Sequence, residues 1–254
     1  MPRLRRWLHE QLIHFPDVLT FLSPVNTELA RRAFRKARVE FMPFGISLDS
    51  FNTQRPNAEH FHRPVRVLAL GNDRHRDWPT FAAAFKSADH FDVRIGSRTF
   101  PRHLMHSNFQ IAELQLSEAR SWFDWADVLV IPLASNLHAS GLTTLLEGVA
   151  LGIPVVASRA GGLEWYFDDN CVTFVEPGNP DALRKALMDI TPELAARRIA
   201  HASKRFQEMD FSTKGYARRH VELSQSLLLN RTRRLVGEDD TAISLEHSVN
   251  RESC

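Results

Sequence analysis

The chain has few cysteines and no long apolar run, and each absence excludes a class of protein. Its 254 residues include only two cysteines, Cys171 and Cys254, so no disulfide framework is expected and a reducing, cytoplasmic compartment is the default. No stretch reaches the ~18 consecutive apolar residues that a membrane-spanning helix needs. The formal charge of +2 is too small to indicate a nucleic-acid partner.

The motifs of several common enzyme classes are also missing. The sequence has no Gly-x-Ser-x-Gly turn, no Walker phosphate loop and no Cys-x-x-Cys pair. His103 and His106 lie three residues apart, but no third ligand stands near them, so no metal site is expected. Serine hydrolases, P-loop nucleotidases and zinc proteins are therefore disfavoured.

The sequence does contain a regular alternation of strands and helices after residue 64. Its 43% hydrophobic content is sufficient for a core, and the alternation predicts an α/β fold with a Rossmann-like, doubly wound parallel sheet. The expected strands are 65–70, 91–95, 109–114, 127–132, 153–157 and 171–175, and the expected helices are 77–87, 117–123, 142–151, 181–189, 192–208 and 213–229.

A shorter strand–helix–strand unit precedes this alternation. Residues 17–23 and 39–42 are apolar enough for buried strands. Between them, the pattern predicts a helix over residues 28–36, with Asn26 or Thr27 as its N-cap. Three elements are too few for a domain, so we expect a βαβ fragment of a larger one.

These patterns divide the chain into segments. Residues 4–15 combine apolar side chains with arginines, as a basic amphipathic helix does. They are expected either to lie on the inner, anionic face of a membrane or to pack on the first domain. The expected division is a fragment of an N-terminal domain over 1–46, a linker over 47–64, a ligand-binding domain over 65–190, C-terminal helices over 191–229 and a disordered tail over 230–254.

The loop over residues 133–141 lies where ligands bind in parallel sheets. In such sheets the ligand crevice lies beyond the carboxyl ends of the strands, where loops lead into helix N-termini. The loop ends at Gly141, which allows close backbone approach, and the first helical turn contributes the hydroxyls of Thr143 and Thr144. Because unpaired amides and the helix dipole favour phosphate, we expect a diphosphate to bind here.

Glu147 lies one turn further along the same helix. Helix side chains slant towards the N-terminus, so its carboxylate can reach the group that the phosphates carry, and a carboxylate suits the two neighbouring hydroxyls of a ribose. The turn Gly161-Gly162 is expected to bring backbone N–H groups to the same crevice. A second interpretation stays open, in which Thr144 and Glu147 only form a capping box for the helix.

Several runs taken together resemble one family. In their order along the chain they resemble the nucleotide-sugar-binding domain of GT-B glycosyltransferases, in particular the large retaining group called family four or group 1. The resemblance covers about residues 17 to 229. It rests on the Pro43-Phe44-Gly45-Ile46 segment, the glycine loop, the Leu145-Leu146-Glu147 helix, the Gly152-Ile153-Pro154-Val155-Val156 strand, the Gly161-Gly162 turn and the run from Val175 to Leu183.

The resemblance implies roles for residues around the glycine loop. Glu147 matches the second glutamate of the family's paired-glutamate motif, which binds the ribose hydroxyls. The first glutamate touches the donor sugar, and here its position holds Ala139. The loop of small residues and threonines that replaces it is similar to a sub-group often found in polysaccharide assembly. His138 is expected either to face the sugar or phosphate or to be an exposed loop histidine.

The resemblance also implies a basic contact in the loop that begins at Gly71. Family members place an arginine and a lysine there to neutralise the diphosphate. We expect Arg76 to do so, with Arg74 in reserve, because a guanidinium binds two phosphate oxygens and remains charged. The lysine is missing, and a merely basic surface loop is the alternative. No Asp-x-Asp pair occurs, which agrees with a metal-independent reaction that needs no cofactor.

The activity implied by the resemblance is transfer of a sugar from a UDP- or GDP-type donor to an acceptor hydroxyl. The acceptor is expected to be a saccharide or a lipid-linked group in polysaccharide or glycoconjugate synthesis. A non-catalytic nucleotide-sugar-binding remnant and a nucleotide-sugar epimerase are the alternatives. Because the family has two domains of similar size, most of the acceptor domain is expected to lie outside this sequence, where a partner chain would be one source of it.

Overall fold

The computed structural model describes residue 7 and residues 11–13, 15–47, 61–86 and 89–236. Most of the expected linker, and the tail beyond residue 236, lie outside these residues. The strands are β1 Leu19–Phe21, β2 Val39–Phe41, β3 Val65–Leu70, β4 Phe91–Gly96, β5 Phe109–Ala112, β6 Val128–Ile131, β7 Val155–Ser158 and β8 Thr173–Val175. The helices are α1 Pro24–Ala33, α2 Trp78–Ala84, α3 Leu116–Trp125, α4 Leu142–Ala150, α5 Leu163–Tyr166, α6 Pro180–Asp189, α7 Pro192–Glu208 and α8 Thr213–Val236.

Strands β3 to β8 form one parallel sheet in the order β5-β4-β3-β6-β7-β8. The chain first builds outward from β3 to β5, then returns to the other side of β3 and builds outward again from β6 to β8. This order makes the sheet doubly wound, as the alternation predicted, and it places the topological switch point between β3 and β6.

Both faces of this sheet are buried under helices. One core contains the apolar side chains of α2 and α6, including Phe81 and Leu183. The opposite core contains those of α3 and α4, including Phe123 and Leu145. Because β6 and β7 are buried along their whole length, their near-continuous Val, Ile and Leu sequences are what a sheet covered on both faces requires.

The βαβ fragment is confirmed, and its ends join the main sheet domain. Strands β1 and β2 pair in parallel. After β2, Ile46 forms a parallel bridge to the segment between α7 and α8, where its N–H donates to Phe211 O at 3.0 Å and its O accepts from Thr213 N at 2.8 Å. Tyr166 makes a second connection, because its hydroxyl donates to Leu22 O at 2.7 Å and accepts from Phe44 N at 3.1 Å.

Two expected helix ends were wrong. Helix α1 begins at Pro24 and its N-cap is Ser23, rather than Asn26 or Thr27, because a serine that accepts from Asn26 N and a proline at the first helical position together form a stronger start signal. Helix α8 runs to Val236, seven residues into the expected tail, and no glycine or proline stands between residues 217 and 236 to end it. Helix α5 was not predicted.

The chain divides into two compact units. The first ends at Tyr216 and contains both sheets, and the second begins at Ala217 and, as far as the structure describes it, is the rest of α8. None of the described helices is long and apolar enough to cross a membrane.

Replacing Tyr166 by phenylalanine tests the connection between the fragment and the sheet domain. The side chain is fully buried, so removal of its hydroxyl leaves Leu22 O and Phe44 N without that partner. We expect Tyr166→Phe to lower the free energy of unfolding by about 1 to 3 kcal/mol, measured by urea denaturation. An unchanged midpoint would show that these two hydrogen bonds do not stabilise the fold.

Candidate functional site

The loops that follow β3 and β6 meet at the switch point of the sheet. Arg76, in the β3 loop, forms an antiparallel bridge with Leu133, in the β6 loop. Its neighbours in the chain complete the contact, with Asp77 N donating to Pro132 O at 3.0 Å and Ala134 N donating to His75 O at 2.9 Å. The two loops are therefore one structural unit at the edge of the sheet where ligands of this fold class bind.

Arg76 is the centre of this unit, and two glycines make room for it. The residue is 8% exposed. A Cβ atom added to Gly71 would lie 2.1 Å from Arg76 Nε, and one added to Gly141 would lie 2.7 Å from Arg76 Nη1. Both glycines also have positive φ, +143° and +75°, a region that other residues rarely adopt. The guanidinium therefore occupies the space that two side chains would otherwise fill.

The positive charge of Arg76 is only partly compensated. Its Nε and Nη1 atoms are buried and have no hydrogen-bond acceptor, and Nη2 lies 3.5 Å from Thr144 Oγ1. Burial lowers the pKa of Arg76 to about 10, and the charge of Asp73 opposes that change. At neutral pH the residue is charged, and a buried cation with unsatisfied donors favours an anion close by.

The N-terminus of α4 is open. Its N-cap is Gly141 and no side chain caps it, so Thr144 lies within the helix and does not form the capping box. The backbone N–H groups of Thr143 and Thr144 donate to no acceptor among the described residues. Thr143 is exposed and Thr144 is buried beside Arg76. Free amides, a hydroxyl and a guanidinium thus converge at one helix end, an arrangement whose charge suits an anion, and we call these groups the anion seat.

Glu147 lies one turn below the anion seat and carries a strongly perturbed carboxyl group. Burial raises the pKa of Glu147 to about 7. Its carboxylate has no hydrogen-bond or ion-pair partner within the part of the chain that the structure describes. A half-buried acid without a partner is an unfavourable arrangement for the fold alone, and such groups are concentrated at binding sites.

Four side chains form a polar network beside the anion seat, and of these only His138 was expected from the sequence. Ser140 Oγ donates to Asp73 Oδ2 at 2.7 Å and lies 2.9 Å from His138 Nε2. His75 Nδ1 lies 3.0 Å from Asp73 Oδ1. Burial alone would raise the pKa of Asp73, but hydrogen bonds from His75 and Ser140 lower it to about 2. Nothing in the spacing of Asp73 and His75 showed that they would meet His138.

The Gly161-Gly162 turn contacts the βαβ fragment. Gly161 N donates to Asn136 O at 3.1 Å, so this amide is already bonded, whereas the amide of Gly162 has no acceptor among the described residues. Ser23 Oγ lies 2.9 Å from Gly161 O and 3.1 Å from Leu137 O. The turn is therefore held between the β6 loop and the first residue before α1.

The remaining predicted positions differ in their surroundings. Gly71 N donates to Gly96 O at 3.1 Å, so this glycine provides space for Arg76 and its amide is not free. Arg74 is exposed. His106 Nε2 lies 3.0 Å from Ala82 O, and the structure does not bring it together with His103 as a metal-ligand group.

A cavity adjoins the anion seat at the carboxyl ends of β3 and β4. Its volume is about 430 Å³. Ser97 and Gln115 form part of its wall, and Asn72 Oδ1 accepts from Arg98 N at 2.7 Å at its rim. This volume lies in the range of small-molecule sites.

Comparison with known proteins supports the resemblance drawn from the sequence. Residues 95–191 match the family model described as "Glycosyl transferases group 1". A search of the curated proteins gives no match. Among solved structures, the chain is similar to sucrose-phosphate synthase from Thermosynechococcus elongatus, with a TM-score of 0.70 and 20% identity over 89% of this chain and 62% of that one.

Two other solved structures have the same fold. HepE of Anabaena, in complex with UDP and glucose, gives a TM-score of 0.67 and 14% identity over 87% of this chain and 66% of that one. WaaG, a glycosyltransferase involved in lipopolysaccharide biosynthesis, gives a TM-score of 0.60 and 21% identity over 78% of this chain and 60% of that one. The GT-B, Rossmann-like fold is thus confirmed, and the chain spans less than two thirds of the length of these three proteins.

Substitution of Gly141 by alanine tests the packing around Arg76. The new methyl group would meet Arg76 Nη1 and Ile131 Cγ2 and would also strain a positive φ. Gly178 is a matched control, because its φ is +73° and a Cβ there would meet nothing within 4 Å. We expect Gly178→Ala to lower the free energy of unfolding by about 1 kcal/mol and Gly141→Ala to lower it clearly more, measured by urea denaturation. Equal losses would mean that Arg76 moves freely.

The pH dependence of stability tests the environment of Glu147. Its pKa is raised from 4.5 to about 7 on folding, so the folded state binds the proton more tightly. The contribution of Glu147 to stability is therefore fully present below pH 4.5 and is lost, by about 3 kcal/mol, as pH rises through 7. We expect Glu147→Gln to remove this fall, whereas Glu208→Gln, at an exposed helix position, keeps it. Parallel curves for wild type and Glu147→Gln would contradict the burial of this acid.

Proposed function

We propose that the chain binds a nucleoside-diphosphate sugar at the switch point and transfers the sugar to an acceptor hydroxyl. The proposal rests on one observation. The Arg76 guanidinium is buried with two nitrogens that lack acceptors, and it lies beside the N-terminus of α4, where the first backbone amides are free. An anion at this position would satisfy both the cation and the helix end. The family match over residues 95–191 supports a sugar nucleotide as its source.

The diphosphate would bind in the anion seat. The amides of Thr143 and Thr144 would donate to its oxygens, and the charge of Arg76 would lie just below them. Arg74 is exposed in the same loop, so we assign the neutralising role to Arg76 and a screened, weaker effect to Arg74.

The nucleoside would extend from the anion seat to Glu147 and to the adjoining cavity. Two neighbouring ribose hydroxyls can both donate to one carboxylate, which would give Glu147 the partners that it otherwise lacks. The base would then enter the cavity beside Gly71 and Gln115. The complexes of HepE with UDP and with UDP-glucose support a donor of the UDP type.

The residues of the site would act on the bond that breaks. In the transfer, the anomeric carbon loses its bond to the diphosphate oxygen, gains a bond to the acceptor oxygen, and the acceptor proton departs. Negative charge develops on the diphosphate as the bond breaks. Arg76 and the N-terminus of α4 are in place before the reaction, so they would stabilise that charge without reorganising. In comparable sites, removal of one such contact raises the activation free energy by about 3 kcal/mol.

The βαβ fragment would form one wall of the acceptor side. Ser23 joins it to the two loops of the donor site through Leu137 and Gly161. His138, whose imidazole is 45% exposed, lies on the same loop and would face the sugar or its phosphate. We propose a saccharide or lipid-linked acceptor, which is supported by the similarity to WaaG, a glycosyltransferase involved in lipopolysaccharide biosynthesis.

Calorimetric titration with UDP, GDP and their sugar conjugates tests the donor assignment. We expect one nucleotide class to bind, and Arg76→Met and Glu147→Gln each to weaken it roughly tenfold or more, because each removes a charged partner. Arg74→Ala should reduce nucleotide affinity much less, and Glu208→Gln should bind the nucleotide as the wild type does. No binding by the folded wild-type chain would overturn the proposal.

The pH dependence of the same titration tests the ribose contact. The hydroxyls would donate to the ionised carboxylate, and the pKa of Glu147 in the free protein is about 7. Nucleotide affinity should therefore rise with pH and level off above 7, and the Glu147→Gln variant should show no such rise. Release of nucleoside diphosphate from the bound sugar conjugate, with and without added acceptor, then separates transfer from binding alone.

A further inference from the structure

The polar network beside the anion seat contains a set of metal-ligand atoms. Within the described residues, Asp73, His75 and His138 form the single group of three whose ligand atoms all lie within 4.8 Å of one another. They come from two loops that the fold brings together at the switch point, and the side chains are 31%, 22% and 45% exposed. An ion could therefore enter from solvent.

We propose that Asp73, His75 and His138 bind one divalent transition-metal ion of the Zn²⁺ or Co²⁺ type. Asp73 Oδ1 lies 3.0 Å from His75 Nδ1, and Asp73 Oδ2 lies 3.8 Å from His138 Nε2. Ligand atoms about 2.0 to 2.2 Å from a tetrahedral ion are separated by roughly 3.4 Å, and one ligand atom from each of these residues already lies within 4.8 Å of the other two. Small rotations of the side chains would complete the site.

The donor set selects the class of ion. Two imidazole nitrogens and one carboxylate oxygen suit Zn²⁺, Co²⁺ or Ni²⁺, whereas Mg²⁺ and Ca²⁺ prefer oxygen ligands. Three protein ligands leave a fourth position open to water or to another oxygen donor, an arrangement that is typical of reactive rather than structural zinc sites. The ion adds a charge to a region that sequence analysis expected to work without metal.

Neighbouring groups hold the ligands and set the charge of the site. Ser140 is 3% exposed, and its hydroxyl contacts both Asp73 and His138, so it would hold these two ligands in position. The Asp73 carboxylate supplies negative charge. The positive charge of Arg76 interacts with that carboxylate and competes with a cation for it, so we expect an ion that exchanges readily.

The alternative explanation is a hydrogen-bond network that only fixes the two loops. In that case Asp73 would be satisfied by His75 and Ser140, and the three ligand atoms would be close for structural reasons alone. The two explanations differ in one measurable respect, which is stoichiometric binding of a metal ion by the protein without nucleotide. The proposal thus stands independently of the transfer reaction.

Titration of the chelator-treated full chain with Co²⁺, followed by visible absorption, tests the site. We expect one equivalent to bind with the spectrum of a nitrogen-ligated ion and Zn²⁺ to displace it. His75→Gln and His138→Gln should each weaken binding by roughly tenfold or more, and Ser140→Ala by roughly tenfold. His103→Gln removes an exposed imidazole outside the network and should leave binding unchanged.

Two results would overturn the proposal. One is the absence of stoichiometric Co²⁺ binding by the wild-type chain, and the other is equal binding by wild type, His138→Gln and His75→Gln. Circular dichroism of each metal-free variant shows whether it is folded. Should His75→Gln unfold, His138→Gln decides the question, because that imidazole is partly exposed and contributes less to packing.

Discussion

The placement of Arg76 is the constraint on which the rest of the site depends. Its guanidinium lies where side chains at Gly71 and Gly141 would be, and its backbone pairs with Leu133 of the neighbouring loop. Burying a charge with unsatisfied donors costs free energy, and the sheet can bear that cost because both of its faces are well packed. The seat exists before any ligand arrives, which is the condition for electrostatic stabilisation without reorganisation.

The βαβ fragment is coupled to this seat through hydrogen bonds rather than through a shared sheet. Ser23 caps α1 and also bonds to carbonyls of the β6 loop and the glycine turn, while Tyr166 bonds to Leu22, which follows β1, and to Phe44, which lies beyond β2. A serine at the start of a helix is ordinarily a local signal. Here the same hydroxyl also fixes the βαβ fragment against the loops of the six-stranded sheet.

Much of the fold could be predicted from the sequence, because its signals are local. Helix α7 was expected over residues 192–208 and lies there, since a threonine cap and a proline mark its start. The six parallel strands followed from apolar runs, although their order in the sheet did not. The site was only partly predictable from the sequence. Glu147 was selected from its position on the helix and Arg76 from the family resemblance, whereas the contact of Asp73 with Ser140, 67 positions away, depends on the sheet order. Gly71 makes space for Arg76, a role that the sequence pattern did not show.

That shared space has an evolutionary consequence. Gly71 and Arg76 stand on the β3 loop and Gly141 on the β6 loop, but one guanidinium fills the space at both glycines, so a side chain at either glycine requires the arginine to move or to become smaller. Substitutions at the three positions must therefore follow an order, with the arginine changing first. In a lineage that has lost the need for the charge, the glycines would change only after the arginine.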